Sequence, residues 1–216
     1  MVIQCAITYF IIASCQTQDS KPDSPADDEQ TTVWQQKLDS AEVDDSAVRS
    51  SDGSVILHID DIPGNIRVTQ DSEFGASERI LEFSAAPDYE WYAVITSGAA
   101  HSAGWLVRTE TAELVPASFQ YGGGLTAGSW SVNGQYLFFV HEGPAGDRTL
   151  SVANRSGRGD TVEENSVSVE IPGHDDMLPE DRIYETLRWE NNRLHFTTAG
   201  DSWIFDAETG TVLEGD

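Results

Sequence analysis

Lysine is almost missing from this 216-residue chain. Lys21 and Lys37 are the only two among 12 basic residues, which face 37 Asp and Glu for a formal net charge of -25. A surface of that sign repels phosphate backbones, so nucleic-acid binding loses the sequence-independent attraction that normally dominates it. Cysteine is as scarce: Cys5 and Cys15 are the only two. Whatever follows residue 15 therefore has no disulfide framework and no thiolate zinc site, and it must hold together by packing. Long apolar runs are absent as well. The longest lies in residues 1–14, short of the roughly 20 residues a membrane-crossing helix needs. No stretch keeps a helical period over several turns. No Gly-x-Ser-x-Gly elbow, His-Glu-x-x-His helix or Gly-Lys-Ser/Thr phosphate loop occurs.

Carboxylate is what the chain has in excess. Hydrated acidic side chains keep a surface soluble in concentrated salt, and salt screens their mutual repulsion to about 3 Å at 1 M. With lysine so rare, the composition predicts a halophilic source.

Residues 1–14 are apolar and uncharged and end in Ile12-Ala13-Ser14, directly before Cys15. Small residues before a cysteine behind an apolar run resemble the lipobox of bacterial lipoproteins. The resemblance implies a signal peptide over 1–14, cleavage before Cys15, and a diacylglycerol on the Cys15 thiol. The partner would then be a membrane, reached through that lipid, and the location the cell envelope, on its periplasmic or extracellular face. The polar Gln16-Thr17-Gln18-Asp19-Ser20 that follows suits a cleavage boundary. No Lys or Arg precedes the apolar run, so the simplest expectation is a translation start upstream of Met1. A buried N-terminal strand is the alternative reading of this segment.

Residues 15–52 read as the lipidated cysteine and an acidic, disordered tether. Asp19 to Glu29 is polar and carries Pro22 and Pro25, with too little apolar mass to offset the entropy of ordering. Val33 to Val48 has the makings of a turn or two of helix, and a packed N-terminal arm is the other reading. From residue 53 to 216 the pattern becomes that of an all-β repeat domain. Short β-branched and aromatic runs recur between Gly, Asn, Asp and Pro: Val55–Ile59, Trp91–Ile95, Tyr136–Val140 and Leu194–Phe196. Asn133-Gly134 is the dipeptide that best suits a two-residue hairpin turn.

Three segments share one plan, in which an aromatic anchor precedes a tight turn, an apolar strand, a second apolar strand and a polar hairpin. Phe83, Trp130 and Trp189 are the expected anchors, and the second strand opens with tryptophan at Trp105 and Trp203 but not at Leu150-Ser151-Val152. A single four-stranded sheet cannot bury its own face, so such units stack. The fold expected is three to four antiparallel blade-like sheets, Ser54 to Thr69 adding strands to a further one, with a β-sandwich as the alternative. Trp130-Ser131-Val132-Asn133-Gly134 resembles the Trp-Ser-Pro-Asp-Gly repeat of TolB-like β-propellers, departing from it at Val132 and Asn133.

Chemistry is harder to find. The five histidines are scattered, and His58, His141 and His195 lie at or beside apolar runs, where hydrogen-bonded structural histidines are expected. The loop Ile171–Asp181 holds oxygen donors that calcium accepts, without the spacing of a known calcium loop. Arg158-Gly159-Asp160 and Gly122-Gly123-Gly124 read as a chance tripeptide and a connection. No cofactor, metal site or catalytic residue is expected. The leading functional expectation is a non-catalytic binding or scaffold module of the envelope, with a protein or glycan partner. The alternative is an envelope hydrolase acting on glycan or peptide, which would need two of Asp88, Glu142, Asp147 and Glu185 to converge.

Overall fold

The computed structural model of the protein describes residues 25–173, 177–178 and 181–215. Cys15 and residues 1–14 lie outside this range. Helix α1 (Pro25–Asp39) leads into β1 (Glu42–Val43), β2 (Ala47–Arg49) and β3 (Val55–His58), which form a three-stranded sheet; β4 (Asn65–Thr69) and β5 (Ser72–Gly75) form a hairpin. Three four-stranded sheets follow, each paired antiparallel in chain order. Blade 1 is β6 (Arg79–Ala85), β7 (Trp91–Ser97), β8 (His101–Arg108) and β9 (Leu114–Tyr121). Blade 2 is β10 (Gly124–Trp130), β11 (Tyr136–Glu142), β12 (Arg148–Asn154) and β13 (Ser166–Ser168). Blade 3 is β14 (Tyr184–Glu190), β15 (Arg193–Thr198), β16 (Asp201–Asp206) and β17 (Thr211–Glu214). The short helix α2 (Val162–Asn165) lies between β12 and β13. The fold is all-β and blade-like, as the sequence predicts.

Periodicity in each second strand reports how many faces of its blade are covered. In β7 every residue is buried, because Tyr92 and Val94 face the N-terminal sheets while Trp91, Ala93 and Ile95 face blade 2. In β11, Leu137 and Phe139 face blade 1 while Tyr136 and Phe138 face blade 3. A strand covered on both sides reads as a continuous apolar run. In β15 only Leu194, Phe196 and Thr198 are buried, alternating with Arg193, His195 and Thr197, so one face of blade 3 meets solvent. That face carries Arg193, His195 and Thr197 on β15, with Ile204 and Leu213 on the neighbouring strands. Close packing between blades 1 and 2 also fixes Gly104, where a Cβ would fall 2.8 Å from the Phe139 ring.

Strand register aligns the blades and revises one expectation. Ala85 pairs with Tyr92, Trp130 with Leu137 and Trp189 with Leu194. Blade 1 thus carries Ala85, not Phe83, at the anchor position; Phe83 packs on Tyr92 in the N-terminal core. The two remaining anchors make one contact twice. Trp130 donates its indole N–H to the carbonyl of Ser84 at 3.2 Å, and Trp189 donates to the carbonyl of Ser129 at 2.7 Å. Ser84 and Ser129 each immediately precede the anchor position of their blade, so each tryptophan is stapled to the matching carbonyl of the blade before it.

The segment 25–52 is not a tether. It forms α1, β1 and β2, and Leu38, Ala47 and Val48 are almost wholly buried. The physical reason is that Tyr92, Val94, Trp105 and Val107 give blade 1 a second apolar face, which Leu38, Val48, Leu57, Ile62 and Ile66 cover. The few apolar side chains of 33–48 suffice because blade 1 supplies the rest of the core. Tyr89, held at a φ of 59°, ties α1 down by donating its hydroxyl to Asp39 at 2.8 Å. Deleting residues 25–52 uncovers that face and removes buried Leu38 and Val48, each worth about 1–5 kcal/mol when lost from a core. A chain beginning at residue 53 is therefore expected to melt well below one beginning at residue 25, or without cooperativity, in a thermal scan; equal melting temperatures would refute the packing.

Candidate functional site

The repeat breaks at one place, and a cavity opens there. Trp105 pairs with Val94 and Trp203 with Phe196, while at the corresponding position of blade 2 Ser151 pairs with Phe139. The partner position changes with it: Thr96 and Thr198 in blades 1 and 3 become His141 in blade 2. In blade 1 the Trp105 indole donates to the Thr96 hydroxyl at 3.1 Å. In blade 2 the same pair of positions forms a hydrogen bond between Ser151 Oγ and His141 Nε2 at 2.8 Å. Blade 2 carries a hydroxyl–imidazole pair where blade 1 carries an indole–hydroxyl pair, and a cavity borders it.

The resulting cavity measures about 690 Å³ and is bounded by β4, β9, β11, β12, α2, β13 and the start of β17. Ser118, on β9 of blade 1, completes the cluster, with its hydroxyl 3.1 Å from His141 Nε2 and 3.4 Å from Ser151 Oγ. Thr69, Ser166 and Ser168 add hydroxyl groups to the wall, Val68, Val162, Val167 and Val212 add apolar surface, and Glu163 and Glu170 are exposed. Burial pushes the His141 imidazole down to about 4, against a hydrogen bond with the Phe119 backbone that works the other way. At neutral pH the ring is therefore uncharged and joins two serine hydroxyls across the junction of blades 1 and 2.

An aromatic group adjoins the cavity. Phe119 lines it and stacks on Phe74 of β5 at 4.3 Å between ring centroids. Phe74 in turn contacts Tyr121 at 5.8 Å, and Tyr121, one pleat repeat beyond Phe119 on the same side of β9, is 60% exposed. His101 packs beside Phe119 and is pushed down by burial.

The other residues singled out in the sequence fall elsewhere. Asp88 sits in the turn between β6 and β7 and pairs with Arg155 of blade 2. Glu142, bound to Arg148 at 3.0 Å, and Asp147 flank the β11–β12 hairpin at the opposite end of the blades. The seven residues of β11 separate these two ends by roughly 20 Å, so Asp88 does not converge with Glu142 or Asp147. Glu185 pairs in register with Thr197 on blade 3. His58 caps a 3-10 turn at Ile59–Asp61, and His195 lies on the solvent face of blade 3, 3.3 Å from Glu190. Arg158 lies over the Trp91 ring and donates to the backbone carbonyls of Arg155 and Gly157. Gly122-Gly123-Gly124 joins β9 to β10. His174, Asp175, Asp176 and Glu180 of the candidate calcium loop lie outside the described residues. Among the described residues no three His, Cys, Asp or Glu gather as a metal site, and no helix is long and apolar enough to cross a membrane.

No family model and no curated protein matches this chain. A solved structure from a mechanistic study of two prolyl endopeptidases is similar to it at a TM-score of 0.46 and 10% identity, over 89% of this chain and 32% of that one. This chain thus spans about a third of the length of that protein.

Because His141 is neutral in the fold but takes up a proton near 6.5 when unfolded, the unfolded chain binds more protons between those values and stability must rise with pH there. The contribution is complete above about 6.5 and lost as pH falls toward about 4; its size is on the order of 2–3 kcal/mol. His141→Thr, which restores the residue of the other two blades, is expected to flatten this part of the stability–pH curve in denaturant titrations. A wild-type curve as flat as the variant's would contradict the buried neutral imidazole.

Proposed function

We propose that this chain is a cell-envelope lipoprotein, anchored through Cys15, whose blade stack binds an envelope partner rather than catalysing a reaction. The observation that carries the reading is the cavity at Ser151. It is larger than the cavities that border Trp105 and Trp203 in the other two blades, its wall carries hydroxyl groups, and His141 Nε2 is already engaged by serine hydroxyls. A pocket of this volume falls in the range of small-ligand sites. The lipobox-like Ile12-Ala13-Ser14-Cys15 supports the anchor. The likeness of Trp130–Gly134 to the TolB-like repeat supports a binding role, because such a repeat is a stacking device that leaves loops and blade edges for partners. The net charge of -25 supports a salt-rich surrounding in which a carboxylate surface stays hydrated.

With the mature lipidated protein as bait in detergent-solubilised envelope, an envelope component is expected to co-purify and to survive high-salt washing. Recovery of the bait alone, or of a native product with an intact amino terminus and a free Cys15 thiol, would count against the proposal.

A further inference from the structure

We infer that the cavity between blades 1 and 2, together with the exposed ring of Tyr121 beside it, is a binding site for a short neutral saccharide. The inference rests on the binding reading above and names the ligand class. Three features of the site converge on it.

The walls come first. Ser118 and Ser151 already bond His141, Ser166 donates to the Val162 carbonyl and Thr69 bonds Ser72, but their oxygens keep lone pairs that can accept from sugar hydroxyls, and Ser168 stands beside them on the wall. Between them lie valine side chains and Phe119, apolar surface that suits the C–H face of a pyranose ring. A wall of fixed charges would favour an ion, but the imidazole at the floor is neutral and held by two serines.

The aromatic group is the second feature and is independent of the first. A tyrosine ring 60% exposed on a β-edge is a large contact surface of low conformational cost. Tyr121 has a backing: Phe74 supports it, and Phe119 supports Phe74 and reaches the cavity wall. Tyr121 does not itself line the cavity; Phe119, two residues before it on the same side of β9, does, so a ligand that also reaches Tyr121 must extend past the cavity and needs more than one ring.

The third feature is electrostatic and sets the sign. Glu163 and Glu170 border the cavity and the whole chain carries -25, so the local field opposes uronic acids, sialic acids and phosphorylated sugars. Neutral saccharides meet no such barrier. A lysine-rich peptide would also be admitted by the field, but its ammonium groups would find hydroxyls and valines where converging carboxylates are required.

Isothermal titration of the protein with cellotriose, maltotriose and triacetylchitotriose, and separately with an oligolysine peptide, distinguishes these ligands. At least one neutral trisaccharide is expected to bind with a Kd between roughly 10 μM and 1 mM, little changed at high salt because no ion pair is involved. Tyr121→Ala alters an exposed side chain and should weaken binding by roughly tenfold while leaving the melting temperature in place. Ser151→Trp, which restores the repeat residue and refills the cavity, should abolish binding. Silence of all three sugars at about 10 mM, or binding unaffected in both variants, would overturn the inference. Oligolysine binding alone, lost in salt, would also overturn it yet leave the binding-module reading standing, and capture of an envelope component by a sugar-silent protein would do the same.

Discussion

A four-stranded antiparallel sheet has two faces, and in this protein two of the three large sheets must bury both. The fold depends on that requirement. Blades 1 and 2 each present one face to the unit before and the other to the unit after, so the order of units is also the order of the core: N-terminal sheets, blade 1, blade 2, blade 3. Burial is non-directional and does not by itself fix how one sheet sits on the next. The indole staples do. Trp130 and Trp189 place a large ring between blades and a donor on a matched carbonyl. Each hydrogen bond contributes about 1 kcal/mol, while leaving the indole N–H of the 8% exposed Trp130 unpaired in a slipped arrangement would cost about 1–3. The staple therefore discriminates between registers by more than it stabilises the right one.

The candidate site follows from the same geometry. Blades 1 and 3 place tryptophan at this position, and the cavities that border Trp105 and Trp203, about 240 and 280 Å³, are smaller than the one beside Ser151. Blade 2 departs from the rule at Ser151 and His141, and the departure is matched on the facing blade by Ser118, so that every polar group exposed by the loss of the indole has a partner. Apolar contact between blades 1 and 2 continues through Leu137, Phe139 and Ala153. The junction is thus held by packing at one end and opened at the other.

Much of the architecture was legible in the sequence, because blade strands announce themselves by β-branched and aromatic runs between turn residues. The difference between Trp91–Ile95, buried throughout, and Leu194-His195-Phe196, which alternates, is visible in the letters and matches a second strand covered on two faces in blade 1 and on one in blade 3. The break in the repeat was equally visible, since Trp105 and Trp203 have Ser151 as their counterpart. Its meaning was not, because an empty volume depends on what the facing sheet places there. Ser118, Phe119 and Tyr121 belong to a different blade, and no local pattern links them to His141. The anchor of blade 1 was misplaced by two residues, at Phe83 instead of Ala85, because an aromatic was sought where the staple needs only a carbonyl, that of Ser84. The composition of residues 15–52 reads as a tether, yet within it Leu38, Ala47 and Val48 are buried by a face that another part of the chain supplies.

The acidic surface and the stacked core make separate demands. The core clusters between blades are apolar, and a carboxylate that reaches the junction of blades 1 and 2, Glu82, accepts from the Ala127 N–H at 3.0 Å. Ion pairs between elements are few among the described residues, and the bridge from Arg155 to Asp88 joins blades 1 and 2 at the turn end, where solvent is near. Cohesion therefore rests on burial and on the staples. Hydrogen exchange at the two indole N–H groups, followed by NMR on the folded protein, tests this directly. The account predicts that the Trp130 and Trp189 indole protons exchange as slowly as the backbone amides of β7 and β11. Exchange of either proton at the rate of a free indole, in a protein whose strand amides stay protected, would contradict it.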